Sequence, residues 1–478
     1  MASNHRPTLQ VRQPYDGELI SELETMNWAD ADRMLDRAAR AHKNASGRLP
    51  AHRRVEILRK LAALLRDRIE TFAVLIAREG GKPIRDARIE AERAVTGIEL
   101  AADHISHIQG REIPMDLSRA GEGRLAFTRR EPIGPVVAIS AFNHPLNLIV
   151  HQVVPAIAVG CPVIVKPAET TPLCCKRFVE LVHEAGLPEE LCQMCLCDNA
   201  TAEQLVTDAR VSLFSFIGSA RIGWYLRSRL APGTRCVLEH GGVAPAIICH
   251  DANMESTVRS LVKGGYYHAG QVCVSVQRIF VDNRIKSEFL DLYAARTAQL
   301  VAGNPIEEET DVGPLILPRE VERVSSWVEE SISDGARVVT GGEKVNDRVY
   351  APTILLDPPV NALVSTQEIF GPVTCIYGFD HEEQAVLQSN ALPVAFQSAV
   401  FTRDLDRALG LSSQLEASAV MINDHTAFRT DWMPFAGLGV SGLGVGGMSH
   451  TMEEMTHEKM TVIHSQTPHS ILPQMERF

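Results

Sequence analysis

No apolar segment opens this chain. Residues Met1 to Val11 are polar and interrupted by Pro7, so the apolar core of an export signal is missing there. An excess of basic residues is missing too. The net charge is −12, which argues against nucleic acid or an anionic membrane as a partner, since both call for a basic face. The ten cysteines follow no framework spacing and read as reduced thiols, consistent with a cytoplasmic protein. The tight cluster Cys192, Cys195 and Cys197 has no second Cys/His pair at zinc-ligand spacing nearby, so it reads as a buried strand. His457-Glu458 begins a zinc-protease motif, but position 461 is Thr and the second histidine is missing. No metal site is expected. Internal repeats, low-complexity tracts and flexible linkers are also lacking. What remains is an ordinary globular composition, 45% hydrophobic and 22% charged over 478 residues, enough for two or three domains.

The longest apolar stretch, Leu148 to Val165, has the length of a membrane span. It contains His151, Gln152, Pro155, Gly160 and Pro162, which fit a buried helix, a turn and a buried strand better. Upstream, Leu58, Leu61, Leu65, Ile69, Phe72 and Ile76 recur at three- and four-residue steps and predict one long helix over residues 50–79, stopped by Gly80-Gly81-Lys82-Pro83. From Pro132 onward short apolar runs alternate with helical segments. The runs are Gly134–Ser140, Pro162–Lys166, Cys192–Cys197, Ser212–Phe216 and Cys236–Glu239. A second alternating block, from about Glu239 to Asn423, holds Arg278–Asp282, Val373–Phe379, Ala399–Thr402 and Ala419–Ile422. Such alternation predicts α/β architecture with parallel sheets covered on both faces, and ligands at the carboxyl ends of the strands.

Several residues could carry chemistry. Cys273, in Gly270-Gln271-Val272-Cys273, follows a glycine turn, and a thiolate is a strong nucleophile toward a carbonyl carbon. Glu239 stands at a strand end before His240-Gly241-Gly242, where glycine lets backbone approach a ligand. Asn143, in Ala141-Phe142-Asn143-His144-Pro145, follows a strand and can donate to a developing oxyanion. Gly218-Ser219, with Gly223 beyond, opens a helix whose N-terminus can face a pyrophosphate. Taken one at a time these have plainer readings: a buried thiol, a surface carboxylate, turn residues.

Together, and in this order, the segments resemble the aldehyde dehydrogenase family over nearly the whole chain. The resemblance rests on Gly-Gln-x-Cys at 270–273, which occurs once, and on the Glu239 segment 273 − 239 = 34 residues before Cys273. It also rests on Lys166-Pro167-Ala168-Glu169 and on Glu368-Ile369-Phe370-Gly371-Pro372. It implies two doubly wound parallel-sheet domains plus a small oligomerisation hairpin and strand. The NAD-binding domain would comprise 1–110 and 130–240, and the catalytic domain 241–441. Segments 111–129 and 442–478 would serve oligomerisation, with strand 457–466 helping to form a homodimer or homotetramer. Cys273 would be the nucleophile, Glu239 the activator of the hydrolytic water, and Asn143 the oxyanion donor together with the Cys273 N–H. Lys166 and Glu169 would meet the adenosine ribose, where a carboxylate favours NAD over NADP. Gly218, Ser219 and Gly223 would face the pyrophosphate, Glu368 the nicotinamide ribose, and Phe370 the nicotinamide ring.

The chain departs from the pattern at Phe142, His144, His240, Val243 and Gly439, which puts the substrate in question. The loop Asn423–Asp431 carries one cation, Arg429, and would line the substrate entrance. Arg429, assisted by His144 and His425, could hold an anionic group. It could equally pair with Asp424 or Asp431 and only shape the loop. The pattern resembles the branch acting on lactaldehyde, glyceraldehyde phosphate or phosphonoacetaldehyde, so a small anionic or hydroxylated aldehyde is expected, phosphonoacetaldehyde first. Arg429→Ala would then raise KM for that substrate and leave hexanal nearly unchanged. Two alternatives stand: a CoA-acylating relative, and a catalytically silent binding or structural protein on the same fold.

Overall fold

The computed structural model describes residues 7–44 and 48–464. Strands Val136–Ile139 and Val163–Lys166 are rich in Val and Ile and buried almost throughout, as expected of strands covered on both faces. They lie inside a six-stranded sheet. Its order is Gly442–Leu443, Arg235–Glu239, Leu213–Ile217, Val136–Ile139, Val163–Lys166, Cys192–Met194, and only the two-residue edge strand is antiparallel. Chain order reverses between Val136–Ile139 and Leu213–Ile217, so their carboxyl ends flank the switch-point crevice where such sheets bind ligands.

A seven-stranded sheet forms the second layer system. It runs Arg337–Thr340, Thr353–Leu356, Val373–Phe379, Val276–Asp282, Ala244–Ile248, Gln397–Phe401, Ala419–Ile422, and is parallel except at its first pair. The two sheets have separate apolar cores. The predicted α/β architecture and every predicted strand segment are present. Leu148–Val165 forms the expected buried helix, Asn147–Val159, closed by Gly160 at φ +89°, and then the strand from Val163. Cys192, Cys195 and Cys197 are all buried. Among the described residues no helix is long and apolar enough to cross a membrane.

The helix expected over 50–79 is broken. Ala51–Arg66 and Ile69–Gly80 meet at Asp67-Arg68, where Arg68 leaves helical geometry at φ −122°, ψ 17°. A straight helix of that length would extend about 44 Å, against about 32 Å for the helix Ile84–His104, on which both halves pack. The bend keeps both apolar faces on that helix, and periodicity alone did not reveal it.

A third sheet stands apart, in the order Thr456–His464, Arg124–Pro132, Glu112–Ile113. Its long edge strand exposes Met460, Val462 and Ile463. Of the strand expected at 457–466, residues 465 and 466 lie outside the described residues. Not all of 442–478 joins this sheet. Gly442–Leu443 pairs with Arg235–Glu239, and helix Met448–Glu454 packs on the helices Ile84–His104 and Asn147–Val159.

Candidate active site

Between the two sheets lies a cavity of about 590 Å³, and Asn143, Glu239, Cys273, Glu368 and Arg429 all line it. Asn143 enters from the loop after Val136–Ile139, and Glu239 is the last residue of its strand. Cys273 sits in the turn between helix Met254–Tyr266 and strand Val276–Asp282.

That turn is held under strain. His268 and Ala269 have φ of +49° and +55°, and Gly270 follows at +70°. Gly270 tolerates no side chain: a Cβ would stand 2.1 Å from the Gly371 carbonyl oxygen, so the Cys273 turn rests on the Glu368–Pro372 segment. Gln271 is buried, donates to the Pro314 carbonyl (3.2 Å) and accepts from the Ile316 amide (2.9 Å). The Gly-Gln-x-Cys motif therefore builds a rigid platform for the sulfur. Two bonds join this platform to the other residues. Asn143 Nδ2 donates to the Gln271 carbonyl at 2.9 Å, and the Gly242 amide donates to the Cys273 carbonyl at 3.1 Å.

The electrostatics are those of a desolvated site. Burial, then the charges of Glu239 and Glu368, push the Cys273 thiol well above the usual range, while Arg429 opposes this. Burial also pushes the Glu239 carboxyl up, and Arg429 pulls it back. Glu239 Oε1 is buried without a hydrogen-bond partner among the described residues. A carboxylate raised in this way is a suitable general base.

Arg429 pairs with neither Asp424 nor Asp431. Its guanidinium stacks 3.6 Å from the centre of the Phe435 ring and stands 3.9 Å from Glu239 Oε1, with Nε buried and unpartnered among the described residues. Asp431 is instead taken by Arg93 (2.8 and 3.2 Å), His151 (2.8 Å) and Asn147 (3.1 Å). His144 and His425 line the same cavity, but burial lowers both pKa values, His144 well below the ordinary imidazole range. Burial thus favours the neutral form of both rings, which suits them to hydrogen bonding. Arg93, a second guanidinium on the cavity wall, escaped the sequence reading because its partner Asp431 lies 338 residues away.

The cofactor candidates divide into three places. Gly218 and Ser219 line the main cavity at the switch point, before helix Ala220–Arg227. Glu368 does so too. Burial pushes its carboxyl to about 8, and Oε1 has no partner among the described residues, leaving an acceptor free for a ribose hydroxyl. Phe370 meets Phe142 edge-on at 5.8 Å between ring centres. Lys166 and Glu169 share a neighbouring cavity of about 360 Å³, with Nζ 3.7 Å from Oε1. Gly223 is placed otherwise than expected. A Cβ on it would stand 2.1 Å from His240 Cε1, so it makes room for that buried ring. The ring in turn bonds the Gly218 carbonyl through Nδ1 at 2.8 Å. Among the described residues no group of three or more His, Cys, Asp or Glu is placed to hold a metal ion.

Comparison with known proteins fits this geometry. The aldehyde dehydrogenase family pattern matches residues 1–461. A 3-sulfolactaldehyde dehydrogenase from Priestia aryabhattai is 37% identical over 457 residues, 95% of this chain and 94% of the relative. A lactaldehyde dehydrogenase from Methanocaldococcus jannaschii is 35% identical over 96% of this chain and 98% of its own length. Among solved structures, an aldehyde dehydrogenase from Physcomitrella patens in complex with the reaction product succinate superposes with a TM-score of 0.93 at 34% identity. It covers 97% of this chain and 96% of its own. A glyceraldehyde-3-phosphate dehydrogenase from M. jannaschii complexed with NADP gives 0.91 at 34% identity, covering 97% and 100%. With its Cys273 turn, switch-point crevice and paired parallel sheets described, this chain belongs to the aldehyde dehydrogenase family.

Proposed function

We propose that the protein oxidises a small anionic or hydroxylated aldehyde to its acid by a hydrolytic route, with NAD as acceptor and phosphonoacetaldehyde as the first substrate to test. The observation that carries the reading is the buried guanidinium of Arg429 on the wall of the cavity that also holds Cys273. An anion there would meet a charged donor with unused hydrogen-bonding capacity, in a setting where such bonds are strong. The named relatives act on aldehydes bearing a sulfonate or a hydroxyl, and the solved neighbours on a phosphate ester or, as product, a dicarboxylate. These are the substrate properties expected from the Arg429 loop.

In this mechanism the Cys273 thiol loses its proton to solvent water and its sulfur adds to the aldehyde carbon. The developing oxyanion receives hydrogen bonds from the Asn143 amide and the Cys273 N–H. A nicotinamide bound beside Glu368 and Phe370 would supply the hydride acceptor that the oxidation of the Cys273 adduct to a thioester requires. Glu239 then takes a proton from water, the hydroxide attacks the thioester carbon, and the acid leaves as the thiol reforms. Glu368 and Phe370 would hold the nicotinamide end of the cofactor, Gly218-Ser219 the pyrophosphate, and Lys166 and Glu169 the adenosine ribose. Glu169 favours free ribose hydroxyls, hence NAD over NADP. The retained carboxylate of Glu239 on the cavity wall favours water over CoA as the acyl acceptor.

The test is NADH formation from phosphonoacetaldehyde, lactaldehyde and hexanal without CoA, by wild type and Cys273→Ser. The anionic or hydroxylated aldehydes are expected to give the highest kcat/KM, and the variant to fall below about one per cent of wild type while still binding NAD. Hexanal as the best substrate, or turnover retained by the variant, would overturn the reading.

A further inference from the structure

The mechanism leaves one fully buried charge pair unused. Lys82 and Glu90 are 0% and 1% exposed, and Lys82 Nζ donates to Glu90 Oε2. Burying two charges gives little net stability, because desolvation offsets their attraction. A pair kept at such a depth invites a search for another role.

The other Glu90 oxygen suggests one. Oε1 accepts from the Leu146 amide at 3.0 Å and the Asn147 amide at 3.1 Å. These are the N-cap and first N–H groups of helix Asn147–Val159, which has no side-chain cap of its own. Only His144 and Pro145 separate Leu146 from Asn143. The loop is thus anchored at two points: behind by Glu90, and in front by the bond from Asn143 Nδ2 to the Gln271 carbonyl (2.9 Å). Lys82 Nζ also lies 5.8 Å from the centre of the Tyr267 ring, whose hydroxyl meets His144 Nε2 at 3.4 Å.

We propose that Glu90 is a positioning residue for the oxyanion donor: its carboxylate, whose buried charge Lys82 balances, fixes the start of helix Asn147–Val159 and thereby the Asn143 amide. The inference rests on the oxyanion role assigned to Asn143. Glu90 touches no reacting atom. Its effect is confined to the placement of Asn143, and a misplacement of about 1 Å at a reacting centre can lower a rate about a hundredfold.

The experiment compares Glu90→Asp, Glu90→Gln and Lys82→Met/Glu90→Gln, alone and with Asn143→Ala. The readouts are the rate of the first-turnover NADH burst, NAD affinity and thermal stability. Glu90→Asp keeps the charge pair but withdraws the carboxylate from the two amides. Its burst rate is expected to fall about ten- to a hundredfold with NAD affinity unchanged. Glu90→Gln keeps an oxygen in place, and it and the double variant are expected to lose less than about fivefold, although removing one charge of a buried pair makes Glu90→Gln the less stable protein. Activity and stability are thus expected to rank oppositely, which a merely structural role would not produce. In the Asn143→Ala background, Glu90→Asp is expected to cost less than about threefold. An activity order that follows stability, a double variant as slow as Glu90→Asp, or an undiminished Glu90→Asp effect without Asn143 would each overturn the proposal. Asn143→Ala at the wild-type burst rate would instead remove the oxyanion reading, and this inference with it.

Discussion

Replacing Arg429 with alanine separates two roles that the sequence alone could not. The guanidinium lies 3.9 Å from Glu239 Oε1 as well as on the cavity wall. At that distance, with an effective dielectric of about 20, the attraction is about 4 kcal/mol, and water entering the vacated space returns part of it. Burial already raises the Glu239 pKa and Arg429 opposes that rise, so removing the cation moves the carboxyl further up. The general base must be ionised. The acid limb of kcat should therefore move to higher pH by about one unit or more, equivalent to about 1.4 kcal/mol. This effect does not depend on the substrate, so hexanal oxidation should slow near neutral pH too, contrary to the expectation from sequence. On top of it, an anionic aldehyde loses a charge-assisted hydrogen bond of about 1.5–3 kcal/mol, about ten- to a hundredfold in KM. The assay is steady-state kinetics from pH 5.5 to 9.5 with phosphonoacetaldehyde and hexanal. An acid limb that stays in place would refute the coupling to Glu239, and an unchanged ratio of the two kcat/KM values would refute the substrate contact.

Glu239→Gln should give a normal first-turnover burst of NADH followed by slow turnover, because only the step that activates water loses its base. Steady turnover with the burst abolished would contradict that role. Gly223→Ala places a Cβ 2.1 Å from His240 Cε1 and should lower stability by about 1–3 kcal/mol in thermal melts, with His240→Leu restoring part of the loss. An alanine variant as stable as wild type would show that the His240 ring has room to move. The exposed strand Thr456–His464, with Met460, Val462 and Ile463 outward, is an edge that calls for covering, and light scattering should report a dimer or tetramer. A stable, fully active monomer would defeat this.

What could be read from the sequence was what is local. Cys273 and Glu239 stand out through short glycine-bearing segments and Asn143 through its Asn-His-Pro turn, because each sits where a strand or helix ends. The buried strands were legible as runs of Val and Ile between turn residues. What stayed hidden depends on distant partners. The break at Asp67-Arg68 reflects the length of another helix. The link of Glu90 to Leu146 spans 56 residues, and that of Arg93 to Asp431 spans 338. The motif of Gly223 likewise does not show that His240 occupies the space beside it.

The carboxylate of Asp431 has a mechanical consequence. It is buried and takes hydrogen bonds from Arg93 on helix Ile84–His104 and from Asn147 and His151 on helix Asn147–Val159, while its own loop follows a strand of the seven-stranded sheet. Swinging the two walls apart would break the bonds to Arg93, Asn147 and His151 together. This carboxylate is thus a clasp across the cavity: one side chain ties the loop that carries Arg429 to two helices at once.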